Sequence, residues 1–311
     1  MISVLVPLYN YNAYPLAKEI VDQASKLNIE FEFICIDDAS KSPLNVENER
    51  INSLINATFI TQKNNAGHRA NRNNLASMAK YENLLFIDGD SVIISKEYIR
   101  IYVNNISDNN HIIYGGRVHP KTITSSGKKL RWKYGLQIED KLAKVRKENP
   151  YKSLMFHNTL IKKEQFNNIK FDNTLTDYGH DDTVFSYKVS LARLNVKHID
   201  NQVEHGDIDD NIEFLRKTKE GIINLHKIYH KKIIDFKHIR LLKFYSRLKS
   251  FRLIFLFKIV FKISNKLIEK QLLSKNPSLL LFTFYKIGYL CSIKENNHKF
   301  SNSPHNGETK S

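Results

Sequence analysis

Leu84-Leu85-Phe86-Ile87-Asp88-Gly89-Asp90-Ser91 sets four large apolar residues directly against two carboxylates one residue apart. An apolar run of that length, closed by a turn, reads as a strand buried on both faces. The same grammar recurs upstream. Ile2–Leu8 runs into Tyr9-Asn10, and Glu30–Ile36 runs into Asp37-Asp38-Ala39-Ser40. Ala57–Thr61 and His111–Tyr114 supply two further strands. Between the first two strands, Leu16, Ile20 and Ala24, with Ala17 and Val21 beside them, make the stripe of an amphipathic helix. Strand, helix, strand, repeated, predicts βαβ units and a mainly parallel sheet covered on both faces. Sheets of this kind bind ligands beyond the carboxyl ends of their strands, and the polar clusters fall there.

The chain has 311 residues, of which 41% are apolar, enough for one large α/β domain with an appendage. Its two cysteines, Cys35 and Cys291, lie far apart, so neither a disulfide framework nor a cysteine metal knuckle is expected. The sequence opens at once on the Ile2–Val6 run with no basic leader, and the expectation is a cytoplasmic protein. The net charge of +16 is unevenly placed: residues 231–290 hold fourteen Lys/Arg against two Asp/Glu. The basicity therefore belongs to a C-terminal segment. Acidic clusters at the ligand edge of the sheet argue against a nucleic-acid partner.

Each polar cluster allows two readings. Asp88 and Asp90 can share a divalent cation that bridges the phosphates of a nucleotide, or simply cap the next helix. Asp38 can hydrogen-bond a base or ribose, with Tyr9 offering an aromatic face, or the two can serve a turn and packing. Asn65–Asn73 opens a helix whose terminal amides, with an arginine fork, favour a diphosphate; a solvated helix start is the rival. Asp181 and Asp182 precede a helical pattern, Thr183–Leu191, and offer a general base or two first-turn carboxylates. His205, after Val196–Val203, can complete a cation shell with Asp90 or stand by. A charged helix is expected over Leu136–Lys147, and helical structure from Ile212 to Leu272 with a break at Pro277.

Taken in chain order, these pieces resemble the family 2 glycosyltransferases of the GT-A fold, over roughly Met1 to Leu225. The matching stretches are Val6-Pro7-Leu8-Tyr9-Asn10, Ile36-Asp37-Asp38-Ala39-Ser40, Asn65-x-Gly67 with Arg72-Asn73, and Leu84 to Ser91. Tyr178-Gly179-His180-Asp181-Asp182-Thr183 and Val203-Glu204-His205 follow. Gly115-Gly116-Arg117 and Asn149-Pro150-Tyr151 resemble the bacterial surface-polysaccharide branch. The resemblance implies that Pro7, Tyr9, Asp38, Arg72, Asp88 and Gly116 hold a nucleotide-sugar donor. It implies Asp90, Asp88 and His205 as ligands of Mn²⁺ or Mg²⁺, and Asp182, with Asp181 beside it, as catalytic base. The family's acidic pair is Glu-Asp where this chain has Asp181-Asp182. Arg131-Trp132 lies before Asp182 and has Lys128 in place of a glutamine, so processive synthesis is not expected.

The expectation is a GT-A domain over 1–225, a basic helical extension over 226–294 and a disordered tail over 295–311. Its function would be inverting transfer from a nucleotide-diphosphate sugar, in the first instance a UDP-sugar, to a glycan or lipid-linked acceptor. Transfer to polyprenyl phosphate, or a membrane-associated protein that keeps the fold without activity, are the alternatives. Lys258, Lys262, Lys266 and Lys270 form a stripe on one helix, with Phe257, Phe261 and Leu272 among the apolar residues nearby. That stripe suggests an anionic membrane surface as partner, at the inner face of the cell membrane.

Overall fold

The computed structural model describes residues 1–175 and 177–293; the tail expected over 295–311 lies outside the described residues. Strands β1 (Ile2–Leu8), β2 (Phe31–Asp37), β3 (Ala57–Thr61) and β4 (Asn83–Ile87) appear where the apolar runs placed them, within a residue at each end. They are followed by β5 (Ser91–Ile93), β6 (Ile112–Tyr114), β7 (Arg117–Val118), β8 (Asn158–Lys162), β9 (Val196–His198) and β10 (Val203–His205). Seven form the main sheet in the order β3-β2-β1-β4-β8-β6-β9. All are parallel except β8, which runs antiparallel between β4 and β6. This is the α/β architecture of a GT-A domain.

Alternation along the central strands divides the core in two. Val4, Val6, Leu85 and Ile87 face the helices Tyr14–Ser25 and Tyr98–Asn105 on one side. Leu5, Leu84 and Phe86 face the helices His68–Met78 and Asp181–Leu191 on the other. Phe86, Phe156, Phe166, Phe171 and Phe185 pack ring against ring on this second side, just below the strand ends. A small second sheet, β5-β10-β7, stands beside the first. It brings Ser91 opposite His205, and Arg117 opposite Val203. The run Val196–Val203 is thus two short strands of different sheets and not one.

The expected helix over Leu136–Lys147 is broken. Helix Lys129–Tyr134 passes into a π turn, Gly135–Glu139, and a separate short helix covers Ala143–Arg146.

Helices Asn211–His230, Arg240–Ser250, Ile254–Leu272 and Leu279–Ser292 follow. The first is continuous through the boundary expected at 225/226, and starts where Asp210 accepts a hydrogen bond from the Glu213 N–H at 2.8 Å. Its Ile222 and Leu225 pack against Leu242, Tyr245, Leu248, Ile287 and Leu290. Leu130 and Leu215 pack against Phe261, Ile268, Leu272, Phe282 and Tyr285. Phe261, Ile268 and Leu272 are therefore core residues and cannot face a membrane. A different set on the same helix points outward: Phe255 is 71% exposed, Ile263 77% and Leu267 72%. Spacing of four to eight residues puts these three on one face, opposite the packed one. No described helix is long and apolar enough to cross a membrane.

Candidate active site

A cleft of about 790 Å³ opens where β1, β2 and β4 end. Pro7 and Tyr9 line it from β1 and the turn beyond, and Tyr9 is 61% exposed, leaving its ring free to stack. Asp38, Arg72, Asp88, Asp90, Asp181 and Asp182 also line it. His205 sits behind Asp90. Gly116 is not among the lining residues. Its φ of +93° and its contact with Arg146, whose guanidinium occupies the space a Cβ would take, give it a backbone role. The placement thus departs from the donor-binding part expected of Gly116.

Asp38 is buried, and its two carboxylate oxygens each accept a backbone N–H at 2.8 Å, from Ala66 and from Gly67. It therefore shapes the turn into helix His68–Met78. Gly67 caps that helix with a φ of +83° and no side-chain acceptor, so the first helical amides open toward the cleft. Asp37 accepts from Ser40 N–H at 3.0 Å and from Asn45 Nδ2 at 3.1 Å, away from the cleft.

Asp181 and Asp182 occupy the first turn of their helix, after His180 with a φ of +66° and Gly179 with +86°. They point in different directions. Asp181 is held by Arg69 and His68, and its side chain is 6% exposed. Asp182 is 20% exposed; its Oδ1 lies 3.1 Å from Arg72 Nη1, and its Oδ2 accepts the Phe156 N–H at 3.2 Å. Arg72 donates its other nitrogen to Asp88 Oδ1 at 2.9 Å, and its guanidinium lies 5.2 Å from the Phe171 ring centre. Burial raises the Asp182 carboxyl above its ordinary value, with the Asp88 charge adding to this and Arg72 opposing. A carboxylate of raised pKa facing a cleft is suited to accept a proton.

Asp88 Oδ2 accepts from Arg117 Nη2 at 3.3 Å, so both of its oxygens are engaged by arginines. Asp90 Oδ2 lies 3.1 Å from His205 Nε2, while its Oδ1 is buried without a partner. Burial opposes ionisation of Asp90, but His205 and Arg117 outweigh it and hold the carboxyl below its ordinary value. Burial likewise holds His205 below the usual imidazole range, against the pull of Asp90. The Asp90 carboxylate, with Oδ2 beside the His205 imidazole and Oδ1 without a protein partner, could take part in holding a divalent cation. Ligands about 2.1 Å from an octahedral ion stand roughly 3 Å from their neighbours, close to the separation seen here. No group of three or more His, Cys, Asp or Glu among the described residues is set to hold a metal. Asp88 lines the cleft as expected, with both of its oxygens meeting arginines. Asp90 and His205 are the pair that could contribute to holding a cation.

Arg69, Arg117 and the Phe156 amide belong to this constellation but were not singled out by sequence. Arg69 and Arg117 lie within the motif stretches. Their partners, Asp181 and Asp88, are 112 and 29 residues away and carry no spacing signal. Asp181→Asn should lower stability by about 3 kcal/mol, because it strands the buried Arg69 charge. Asp182→Asn should cost less, because Arg72 keeps a second carboxylate, Asp88, at 2.9 Å. Urea denaturation of both variants checks the ranking.

Comparison with known proteins supplies the family. The family model described as glycosyl transferase family 2 matches residues 3–170. A poly(ribitol-phosphate) beta-glucosyltransferase of Bacillus spizizenii is 31% identical over 133 residues, covering 39% of this chain and 21% of that protein. The chain therefore spans about a fifth of the length of that curated relative. Among solved structures, a mannosyltransferase from Pyrobaculum calidifontis in complex with GDP-Man and Mn²⁺ aligns with a TM-score of 0.50 at 14% identity. That alignment covers 74% of this chain and 64% of the other. S. aureus TarS residues 1–349 in complex with UDP aligns at 0.46 and 18% identity, over 72% and 64%. With more than half of its length matched by the family model, the chain belongs to glycosyl transferase family 2.

Proposed function

We propose that this chain moves a sugar from a nucleotide-diphosphate donor, in the first instance a UDP-sugar, onto a hydroxyl of a surface polysaccharide or its lipid-linked precursor, with inversion. The observation that carries this reading is the division of labour between Asp182, which faces the cleft, and Asp181, which is locked to Arg69. The likeness to a poly(ribitol-phosphate) glucosyltransferase supports a polyol-phosphate wall polymer as the acceptor class.

In this mechanism the acceptor oxygen attacks the anomeric carbon from the side opposite the diphosphate. A new C–O bond forms as the bond to the leaving phosphate oxygen breaks, and the hydroxyl proton passes to Asp182. Arg72 and the Phe156 amide hold that carboxylate in position. Tyr9 stacks on the base, while the turn stapled by Asp38 presents helix amides to the diphosphate. Mn²⁺ or Mg²⁺, when bound by Asp90 and His205, supplies positive charge for the departing diphosphate. Asp88, pinned by two arginines, fixes the loop that carries Asp90.

Asp182→Asn should retain donor binding and lower kcat by about 10²–10⁴-fold. In wild type, kcat should fall as pH drops through the raised Asp182 value, giving an acid limb above the ordinary aspartate range. That limb should be missing from the residual activity of the variant. Unchanged turnover on a polyol-phosphate acceptor would move the base elsewhere.

Asp90→Ala should abolish Mn²⁺-dependent stabilisation by UDP, since one ligand and its unpartnered oxygen are removed together. A thermal-shift screen of UDP and GDP sugars, with and without Mn²⁺, reads both this and the donor base. Equal Mn²⁺-dependent shifts in variant and wild type would reject Asp90 as a ligand.

We also propose that the outward apolar face of helix Ile254–Leu272, bordered by the lysine stripe, rests on an anionic membrane and brings the cleft to its acceptor. Removing the chain after residue 240 would also strip cover from Ile222, Leu225 and Leu215, so point changes are the cleaner test. Phe255→Glu, Ile263→Glu and Leu267→Glu together should end sedimentation with anionic vesicles and leave the melting temperature near wild type. High salt should release the wild-type protein. Equal partitioning of the two proteins would dismiss the surface.

A further inference from the structure

Asp90 and His205 are the front of a longer series. His205 Nδ1 lies 3.3 Å from His119 Nε2, and His119 Nδ1 lies 2.7 Å from Asp140 Oδ1. Asp140 Oδ2 also accepts the backbone N–H of His119 at 2.9 Å. The His119 side chain is fully buried, and the two imidazoles meet edge to face with centres 5.2 Å apart.

The local fold builds this arrangement. His119 follows β7 and His205 ends β10, the two neighbouring parallel strands of the small sheet. The π turn Gly135–Glu139 delivers Asp140 to His119, and Asp140 N–H closes on Gly135 O at 2.9 Å. Gly135 lies flat against the imidazole: a Cβ there would stand 2.4 Å from His119 Nε2.

A neutral imidazole has one N–H and one lone pair, so the series can run in two directions. The shortest contact, at Asp140, decides between them. A carboxylate only accepts, so His119 Nδ1 carries the proton. His119 Nε2 then accepts, His205 Nδ1 donates to it, and His205 Nε2 keeps its lone pair, aimed at the Asp90 side. Without a cation that direction leaves the Nε2 lone pair facing Asp90 Oδ2 at 3.1 Å, so it holds once a cation sits between the two. The reverse direction would then turn an N–H toward the cation and a lone pair toward Asp140 at 2.7 Å. Glu139 Oε2, 3.6 Å from His119 Nε2, is too far to compete and is held by Arg131 at 2.9 Å.

We infer that His119 and Asp140 are positioning residues that lock His205 as the Nδ1–H tautomer, and so make Nε2 a cation ligand beside Asp90. This rests on the reading of Asp90 and His205 as the cation site. Outer carboxylates commonly orient ligating imidazoles in this way; here a second histidine extends the reach.

The test uses the full chain labelled with ¹⁵N-histidine and loaded with UDP and Mg²⁺, with signals assigned through His119→Gln and His205→Gln. Long-range ¹H–¹⁵N correlation should show Nδ1–H on both rings. In Asp140→Asn the His119 backbone N–H claims the amide oxygen, so the amide NH₂ faces Nδ1 and the series reverses to Nε2–H on both rings. Mn²⁺ affinity in the presence of UDP, read by electron paramagnetic resonance, should then fall 10–100-fold, with loss of ¹⁴N coupling to the ion. A merely structural role would move the melting temperature and leave that coupling in place. Nε2–H on His205 in wild type, or full Mn²⁺ affinity in Asp140→Asn, overturns the inference alone. A wild-type chain that binds neither Mg²⁺ nor Mn²⁺ in the presence of UDP overturns the cation reading instead. Should the variant not fold, the wild-type tautomers decide.

Discussion

The Arg72 guanidinium holds two carboxylates apart and together at once, and the cleft is organised around it. One nitrogen reaches Asp88 at the end of β4, the other reaches Asp182 at the start of its helix, and Phe156 and Phe171 lie against its faces. A planar fork of fixed size can do this; a lysine, a point charge on a flexible stem, cannot. The burial that makes the pairing strong also makes it obligatory, since a guanidinium left unpaired there would be far more costly than in water. Sheet and helix are thereby tied at the point where the chemistry would occur. Arg72 lines the cleft and braces Asp88 and Asp182 there.

That brace also explains the split between neighbouring acids. Asp181 and Asp182 start one helix, one residue and about 100° apart, so they cannot face the same way. Arg69, on the helix that also carries Arg72, takes Asp181 inward, and Arg72 takes Asp182 at the cleft. The expectation of first-turn carboxylates and the expectation of a base both describe this segment. The dipole favours the pair where it stands, and the two arginines assign its members different surroundings.

The sheet was legible because its central strands are apolar runs closed by turn residues, and because βαβ connection sends every such run in the same direction. Asp38, Asp88, Asp90 and Asp182 follow from that regularity: each lies just past a strand or at a helix start, on one edge of one sheet. Less visible were contacts made by the small second sheet. Its strands have two or three residues, too few for any periodicity, so nothing in sequence announces that Arg117 reaches Asp88 or that His119 meets His205. The π turn at Gly135–Glu139 was hidden for a different reason. It slips the helical register by one residue without changing the apolar pattern that signals a helix. In the C-terminal segment the lysine spacing was plain. Helix Ile254–Leu272 is apolar on two sides, however, and only packing shows that Phe261 turns inward while Ile263 turns out.

Charge balance gives the separate pieces a common logic. Asp88, Asp90 and Asp182 gather three carboxylates at one strand edge, and Arg72 and Arg117 return two positive charges. Both arginines are spent on Asp88 and Asp182, while Asp90 keeps a buried oxygen with no protein partner. The deficit is thus localised at one atom and not spread over the cleft. A diphosphate entering such a site would add negative charge to a region already short of positive charge, which disfavours the donor alone and favours it together with a cation. On the proposed reading, a cation held at Asp90 would answer that unpaired oxygen and the incoming phosphates together. Had Arg117 reached Asp90 as closely as it reaches Asp88, the edge would be balanced without a cation, and a donor would meet a carboxylate with nothing left to bind.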